Sequence, residues 1–146
     1  MLKGINKRLS PDLLKYLCEM GHGDELIITD GNFPGSCCVE NTVRVDGCGC
    51  AEMLDAILEV FPLDVKYSGA DGCFFLMEKV PGDTTEVEIW NDFKAILKDH
   101  QPDAEVAHIE RFAFYERAKK VYLSVYTGEE KPYGNIILKK GVVLSD

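Results

Sequence analysis

The sequence predicts an α/β domain in which helices cover a mixed, largely parallel sheet. Along its 146 residues, apolar segments of helical period alternate with short apolar runs of strand length, the order expected when helices pack on a sheet. Hydrophobic residues make up 46% and charged residues 28% of the chain, the balance of a globular protein rather than a disordered one. The length suits one domain, 1–146, around a single core.

Ser10-Pro11-Asp12 opens the first helix with a hydroxyl for the N-cap, a proline at the first position and an acid near the positive end of the dipole. Leu13, Leu14, Leu17 and Cys18 form its apolar face, and Gly21 is placed to end it in a left-handed conformation. Glu25 to Thr29, with Leu26-Ile27-Ile28, is expected as a buried strand closed by Asp30-Gly31. Thr42 to Val45 follows as a strand ended by Asp46-Gly47. A helix from about Ala51 carries Met53, Leu54, Ile57, Leu58 and Phe61 on one face until Pro62 breaks it. Cys73 to Val80 is a strongly apolar strand closed by the Pro81-Gly82-Asp83 turn. Ile89, Trp90, Phe93, Ile96 and Leu97 mark a third helix, ended by Gln101-Pro102-Asp103. Glu105 to Ile109 is expected as a strand and Arg111 to Lys120 as a helix, with Phe112 and Ala118 in the core and Glu116 and Arg117 at the surface. Val121 to Thr127 alternates as a strand does, and Gly134 to Val143 carries a last one around Ile136-Ile137-Leu138.

Charge and composition exclude several functions. The net charge is −9 and the cations are scattered. Lys119-Lys120 and Lys139-Lys140 are short solvated pairs, not the basic stripe that nucleic acid requires. No apolar run approaches the roughly 18 to 20 residues of a membrane helix. Met1 to Leu14 is interrupted by Lys3, Lys7, Arg8 and Asp12, which leaves no signal-peptide core, so a cytoplasmic location is expected. In that setting the six cysteines do not form a disulfide framework. Cys37-Cys38 and Cys48-Gly49-Cys50 lack zinc-knuckle spacing, and reduced thiols acting as small hydrophobes are expected rather than a metal site.

Four short constellations carry groups suited to chemistry. In Gly21-His22-Gly23-Asp24-Glu25, two glycines leave an imidazole uncrowded, and histidine titrates near neutrality; a surface-turn histidine without duty fits the same segment. Asp30 stands at the carboxyl end of the first strand, where ligands gather in open α/β sheets. Asp64, just past the second helix, offers the same two readings as Asp30, hydroxyl acceptor or turn former. Tyr115, in the run Glu110 to Ala118, is either core or ligand-facing, and Tyr133-Gly134-Asn135 sets a phenol and an amide at the entry to a strand, suited to sugar hydroxyls or to a hairpin turn.

Taken together, LSPDLLKYLCEMGHGDELIITDGNFP, VRVDG, LDAILEVFPLD, IERFAFYERAKK and TGEEKPYGNIILKKGV resemble the fucose mutarotase and ribose pyranase family. The chain is similar to its fucose branch, because the ribose branch has GHTD and YAN where this chain has GHGD and YGN, and lacks the FAFYER run. The resemblance is weakest at Cys48, Cys50 and Val65 to Val80. It implies a three-layer α/β/α sandwich and a ring-shaped homo-oligomer, expected as a decamer, with sugar sites where subunits meet. It implies His22 as the catalytic residue and Asp30, Asp64, Arg111, Tyr115, Tyr133 and Asn135 as positions that bind a monosaccharide, L-fucose.

Mutarotation opens a hemiacetal to its aldehyde and recloses it on the other face, for which an acid and a base suffice, so no cofactor or metal is expected. His22 is expected to move the proton, with Tyr133 or Tyr115 as its partner, although a phenol near pKa 10 is a poor base unless its surroundings lower that value. Asp30 and Asp64 are expected to orient sugar hydroxyls, with a hydrogen bond between Asp30 and His22 as a further way to set the His22 tautomer. The competing readings are a D-ribose pyranase, a non-catalytic sugar-binding module and a cysteine-based zinc protein.

Overall fold

The computed structural model describes residues 1–145. In chain order its elements are α1 (Pro11–Glu19), β1 (Glu25–Thr29), a 3-10 turn (Gly35–Cys37), β2 (Thr42–Val45), α2 (Cys50–Leu58), β3 (Phe74–Met77), α3 (Ile89–His100), β4 (Val106–Ile109), α4 (Arg111–Ala118), β5 (Leu123–Thr127) and β6 (Ile136–Lys139). The strands form one sheet in the order β2-β5-β1-β6-β3-β4. β2, β5 and β1 run parallel to one another, as do β3 and β4, and β6 is antiparallel to both β1 and β3. A single reversed strand therefore stitches two parallel blocks into a mixed sheet.

Strand alternation divides the core into two layers. Leu26, Ile28, Phe74, Leu76, Ile136 and Leu138 pack on one face with residues of α1, α2 and α3, among them Leu13, Leu54 and Phe93. The intervening Ile27, Phe75, Met77 and Ile137 pack on the other face against Phe114 and Ala118 of α4 and against Phe33 and Cys37. Covering both faces makes the fold a three-layer α/β/α sandwich and explains why the central strands read as continuous apolar runs. No described helix is long and apolar enough to cross a membrane.

Local signals account for most boundaries. The Ser10 side chain accepts from the Leu13 N–H and caps α1. Its end differs from expectation: Met20 is extended, and the Lys140 ammonium bonds the Leu17 and Met20 carbonyls, a cation satisfying orphan groups at a helix C-terminus. Gly23, with φ of +85°, is the left-handed residue instead of Gly21, and it shapes the turn that follows.

In α4 the expected core residue Phe112 is 67% exposed and Phe114 is fully buried. The two lie about 200° apart around a helix axis, so only one can face the sheet, and the 114/118 line does. Arg117, expected at the surface, instead lays its guanidinium 3.9 Å from the Phe75 ring centroid and pairs with Glu25 and Asp71.

Candidate active site

The predicted site residues fall at two opposite ends of β1. At its start, the helix-to-strand turn is closed by the Gly21 N–H donating to Asp24 Oδ2 (2.8 Å) and the Gly23 N–H donating to the Lys140 carbonyl (2.8 Å). These bonds hold His22 at the apex. Asp64 arrives beside it because Leu63 bridges to Lys140 and the Asp64 N–H donates to the Lys139 carbonyl.

Asp64 Oδ2 lies 3.1 Å from His22 Nε2, and its Oδ1 accepts from the Tyr67 N–H at 3.1 Å. The carboxylate is almost wholly buried whereas the imidazole is 42% exposed. An acceptor-only carboxylate at Nε2 puts the proton of the neutral ring there and leaves Nδ1 as the ring nitrogen not bonded to Asp64. The Tyr67 ring packs edge-on against the imidazole, with centroids 5.3 Å apart. The carboxylate beside His22 is thus Asp64, and Asp30 bonds Asn135 and Asn32 instead.

At the far end of β1, the buried Asp30 is locked to Asn135 by a reciprocal pair: the Asp30 N–H donates to Asn135 Oδ1 (2.9 Å) and Asn135 Nδ2 donates to Asp30 Oδ2 (3.1 Å). Asp30 Oδ1 also accepts from the Asn32 N–H at 3.0 Å. Burial pushes the Asp30 carboxyl above the usual aspartate range, and these hydrogen bonds only partly oppose it.

Asp30 and Asn135 line a cleft of about 360 Å³ together with Arg111, Tyr115, Tyr133 and Asp83. Arg111 Nε donates to the Tyr115 hydroxyl at 3.3 Å. Tyr133 has φ of +59°, a left-handed conformation that costs a non-glycine residue roughly 1–2 kcal/mol. Three bonds hold it there: Trp90 Nε1 donates to its carbonyl (3.1 Å), the Val80 N–H donates to its hydroxyl (3.2 Å), and that hydroxyl donates to Asp83 Oδ2 (2.5 Å).

Of the predicted residues, the cleft gathers Asp30, Arg111, Tyr115, Tyr133 and Asn135, and it contains neither His22 nor Asp64. The five residues of β1 separate the two groups, a rise of about 16 Å. Tyr133, expected as a partner in proton transfer, has its pKa raised above the ordinary phenol value, first by the Asp83 hydrogen bond. Asp83 itself was legible only as part of a Pro-Gly-Asp turn; an acid at a turn tip was the one available signal.

All six cysteines are free. Burial pushes the Cys50 thiol, 3.2 Å from the Thr127 hydroxyl, up to about 12, and that of Cys73 up to about 11, so neither supplies a thiolate nucleophile. Among the described residues no group of three or more His, Cys, Asp or Glu side chains is placed to hold a metal ion.

Fold and site define a class: an α/β/α sandwich that pairs a polar, carboxylate-floored cleft with a separate histidine–aspartate dyad. The chain belongs to the RbsD / FucU transport protein family, whose sequence profile matches residues 3–143. It is 46% identical to the fucose mutarotase of Danio rerio over 98% of this chain and 95% of that one. It is likewise 46% identical to the L-fucose mutarotase of Actinobacillus pleuropneumoniae serotype 5b, over 97% of each. Among solved structures, FucU from Bifidobacterium longum superposes with a TM-score of 0.89 at 50% identity, covering 97% of this chain and all of that one. The fucose mutarotase of Streptococcus pneumoniae, solved in complex with L-fucose, gives 0.88 at 44% identity, covering 98% of this chain and all of that one. Bacillus subtilis RbsD, solved with D-ribose, shares the fold at a TM-score of 0.72 and 19% identity.

Proposed function

We propose that this protein is an isomerase that interconverts the α and β anomers of L-fucose, at sites completed by His22 of a neighbouring copy. One observation carries the reading. The cleft gathers a buried carboxylate with hydroxyl-binding side chains but no histidine, while an exposed imidazole dyad stands at the other end of β1. The full-length similarity to fucose mutarotases supports fucose as the sugar, against 19% identity to the ribose-bound relative.

In this reading Asp30 takes the proton of the anomeric hydroxyl while a protonated His22 gives one to the ring oxygen. The C–O ring bond breaks, the aldehyde forms, the C1–C2 bond turns, and closure on the other face returns both protons to their owners. The raised Asp30 pKa brings that carboxyl nearer the range where a base both accepts and releases a proton. Asp64 fixes the His22 tautomer, and Arg111, Tyr115, Tyr133 and Asn135 bind the remaining hydroxyls or hold the groups that do. Each positioned acid or base contributes about 10²- to 10⁴-fold, and the scheme balances without cofactor or metal.

Joining one copy's dyad to the next copy's cleft is a head-to-tail contact, which generates a ring when the rotation closes. Exposed apolar side chains support such a contact at both ends: Tyr67, Val143 and Leu144 on the side of the dyad, Phe112 beside Arg111 on the side of the cleft. The reading takes residues 1–146 as one domain of a ring-shaped homo-oligomer, a decamer by family resemblance. It places the protein in the cytoplasm, where free thiols persist. Saturation-transfer NMR on α- and β-L-fucose, with D-ribose measured alongside, tests it. The parent chain should accelerate fucose exchange in preference to ribose, and His22→Ala should reduce exchange to the buffer rate with the fold unchanged. A His22→Ala chain as fast as its parent overturns the assignment.

A further inference from the structure

The segment between β3 and α3 lies outside the motifs that carry the family resemblance, yet its residues grip the cleft from above. Val80 donates its N–H to the Tyr133 hydroxyl, Asp83 accepts from that hydroxyl, and Trp90, at the start of α3, bonds the Tyr133 carbonyl. We propose that Asp83 is a positioning residue for the sugar: by accepting the hydrogen bond of the Tyr133 hydroxyl, it makes that phenol present a lone pair, not a proton, to the cleft. The inference rests on the fucose reading above and assigns it a determinant of how substrate hydroxyls are oriented.

The geometry leaves little freedom. Gly82 is left-handed at φ of +87° and the Asp83 N–H donates to the Val80 carbonyl at 2.9 Å, which turns the Asp83 side chain back toward Tyr133. Asp83 Oδ1 accepts from the Thr85 N–H at 2.8 Å, an Asx-type turn that leaves Oδ2 for the phenol. With its proton held by Oδ2 and the Val80 N–H already donating to it, the phenol meets substrate as an acceptor. Arg111, on the same cleft, is a donor only, and Asp30 and Glu130 are the other charged groups lining it. A sugar hydroxyl beside Tyr133 must therefore donate to it, and one beside Arg111 must accept, which fixes the rotation of each before the ring opens.

Hydrogen bonds from Thr85 and then Tyr133 hold the Asp83 carboxyl down to about 2, so it is an anion throughout the working range. Asp83→Asn is the discriminating variant. Its amide oxygen would keep the Thr85 bond and the turn, so its NH₂ would face the phenol and force the Tyr133 proton outward into the cleft. We expect KM for L-fucose and the Kd from NMR titration both to rise about tenfold with kcat within about threefold, the size of one reversed hydrogen bond. Asp83→Ala, which frees the phenol to rotate, should fall between parent and Asp83→Asn.

Tyrosine labelled at Cζ with carbon-13 supplies a second readout, the Tyr133 resonance being the one lost in Tyr133→Phe. Its titration midpoint should drop toward the ordinary tyrosine value in both Asp83 variants. If Asp83→Asn binds fucose as tightly as the parent, the positioning role is refuted, whether or not the titration moves. A parent chain that binds fucose but does not exchange its anomers would instead sink the catalytic reading alone.

Discussion

The two ends of β1 are built in different ways. The dyad end is local. His22 is set by a turn of four residues, and a single buried carboxylate from the α2–β3 connection fixes its ring. The cleft end is assembled from distant segments, with Asp30 and Asn135 reaching across 105 positions of sequence to exchange two hydrogen bonds. A mobile proton needs an exposed, singly tethered group. A base whose carboxyl is raised by burial needs a rigid, desolvated floor, and one short segment cannot provide both. Separating the two ends by the length of a strand satisfies both conditions within one chain.

That contrast can be broken most decisively by mixing variants. His22→Ala and Asp30→Asn should each be inactive alone. Co-assembled at equal amounts from dissociated subunits, a head-to-tail arrangement gives about a quarter of the interfaces one intact dyad and one intact cleft. Anomer exchange should then recover to about that fraction of the parent. Mixed assemblies that stay at the buffer rate would sink the shared site.

A smaller but still large effect is expected at the dyad alone. In Asp64→Asn the amide oxygen would keep the Tyr67 bond and the NH₂ would face Nε2, moving the ring proton to Nδ1 and aiming the wrong tautomer outward. The rate of anomer exchange should fall about 10²- to 10⁴-fold, the range lost when a catalytic acid or base is misplaced. Histidine ring NMR would report the tautomer directly, and an unchanged tautomer with a reduced rate contradicts the explanation.

The smallest effect concerns the brace behind the dyad. Asp71, on the loop that carries Tyr67, pairs with Arg117 and Lys139, and Arg117 first and Lys139 second hold its carboxyl down to about 2 from an ordinary 3.8. Because the folded value is the lower one, the pair stabilises the fold above the unfolded value and loses that contribution as pH falls through about 2. The side chain is half exposed, so Asp71→Asn should cost at most about 1 kcal/mol at neutral pH. Urea midpoints of parent and variant should converge as the pH falls from about 4 to about 2; a constant gap over that interval would assign the loss to packing.

Sequence revealed the layers far better than the connections between them. β1 and β2 begin and end where Leu26-Ile27-Ile28 and Thr42 to Val45 predict, because turn residues follow each run directly. Around α4 the pattern was ambiguous: Phe112 and Phe114 are equally apolar, and a helix of eight residues is too short for periodicity to fix which one faces the sheet. The charged partners Glu25 and Asp71, far away in sequence, draw Arg117 inward, which no local window contains. At the site, residue types pointed to His22, Asp30, Tyr133 and Asn135, but pairing was out of reach. That Asp64 lies beside His22 follows from the end of β6 and Lys140 just beyond it, whose backbone holds both the His22 turn and Leu63-Asp64.

β6 has a temporal consequence. Lys140, just beyond it, receives the Gly23 N–H, ties down the end of α1 and bridges to Leu63. Until residues 136–140 have joined the sheet, the backbone bonds of Lys139 and Lys140 that bring the His22 turn and Asp64 together cannot form. Each newly made copy therefore completes its His22–Asp64 pair only after that segment has folded into place.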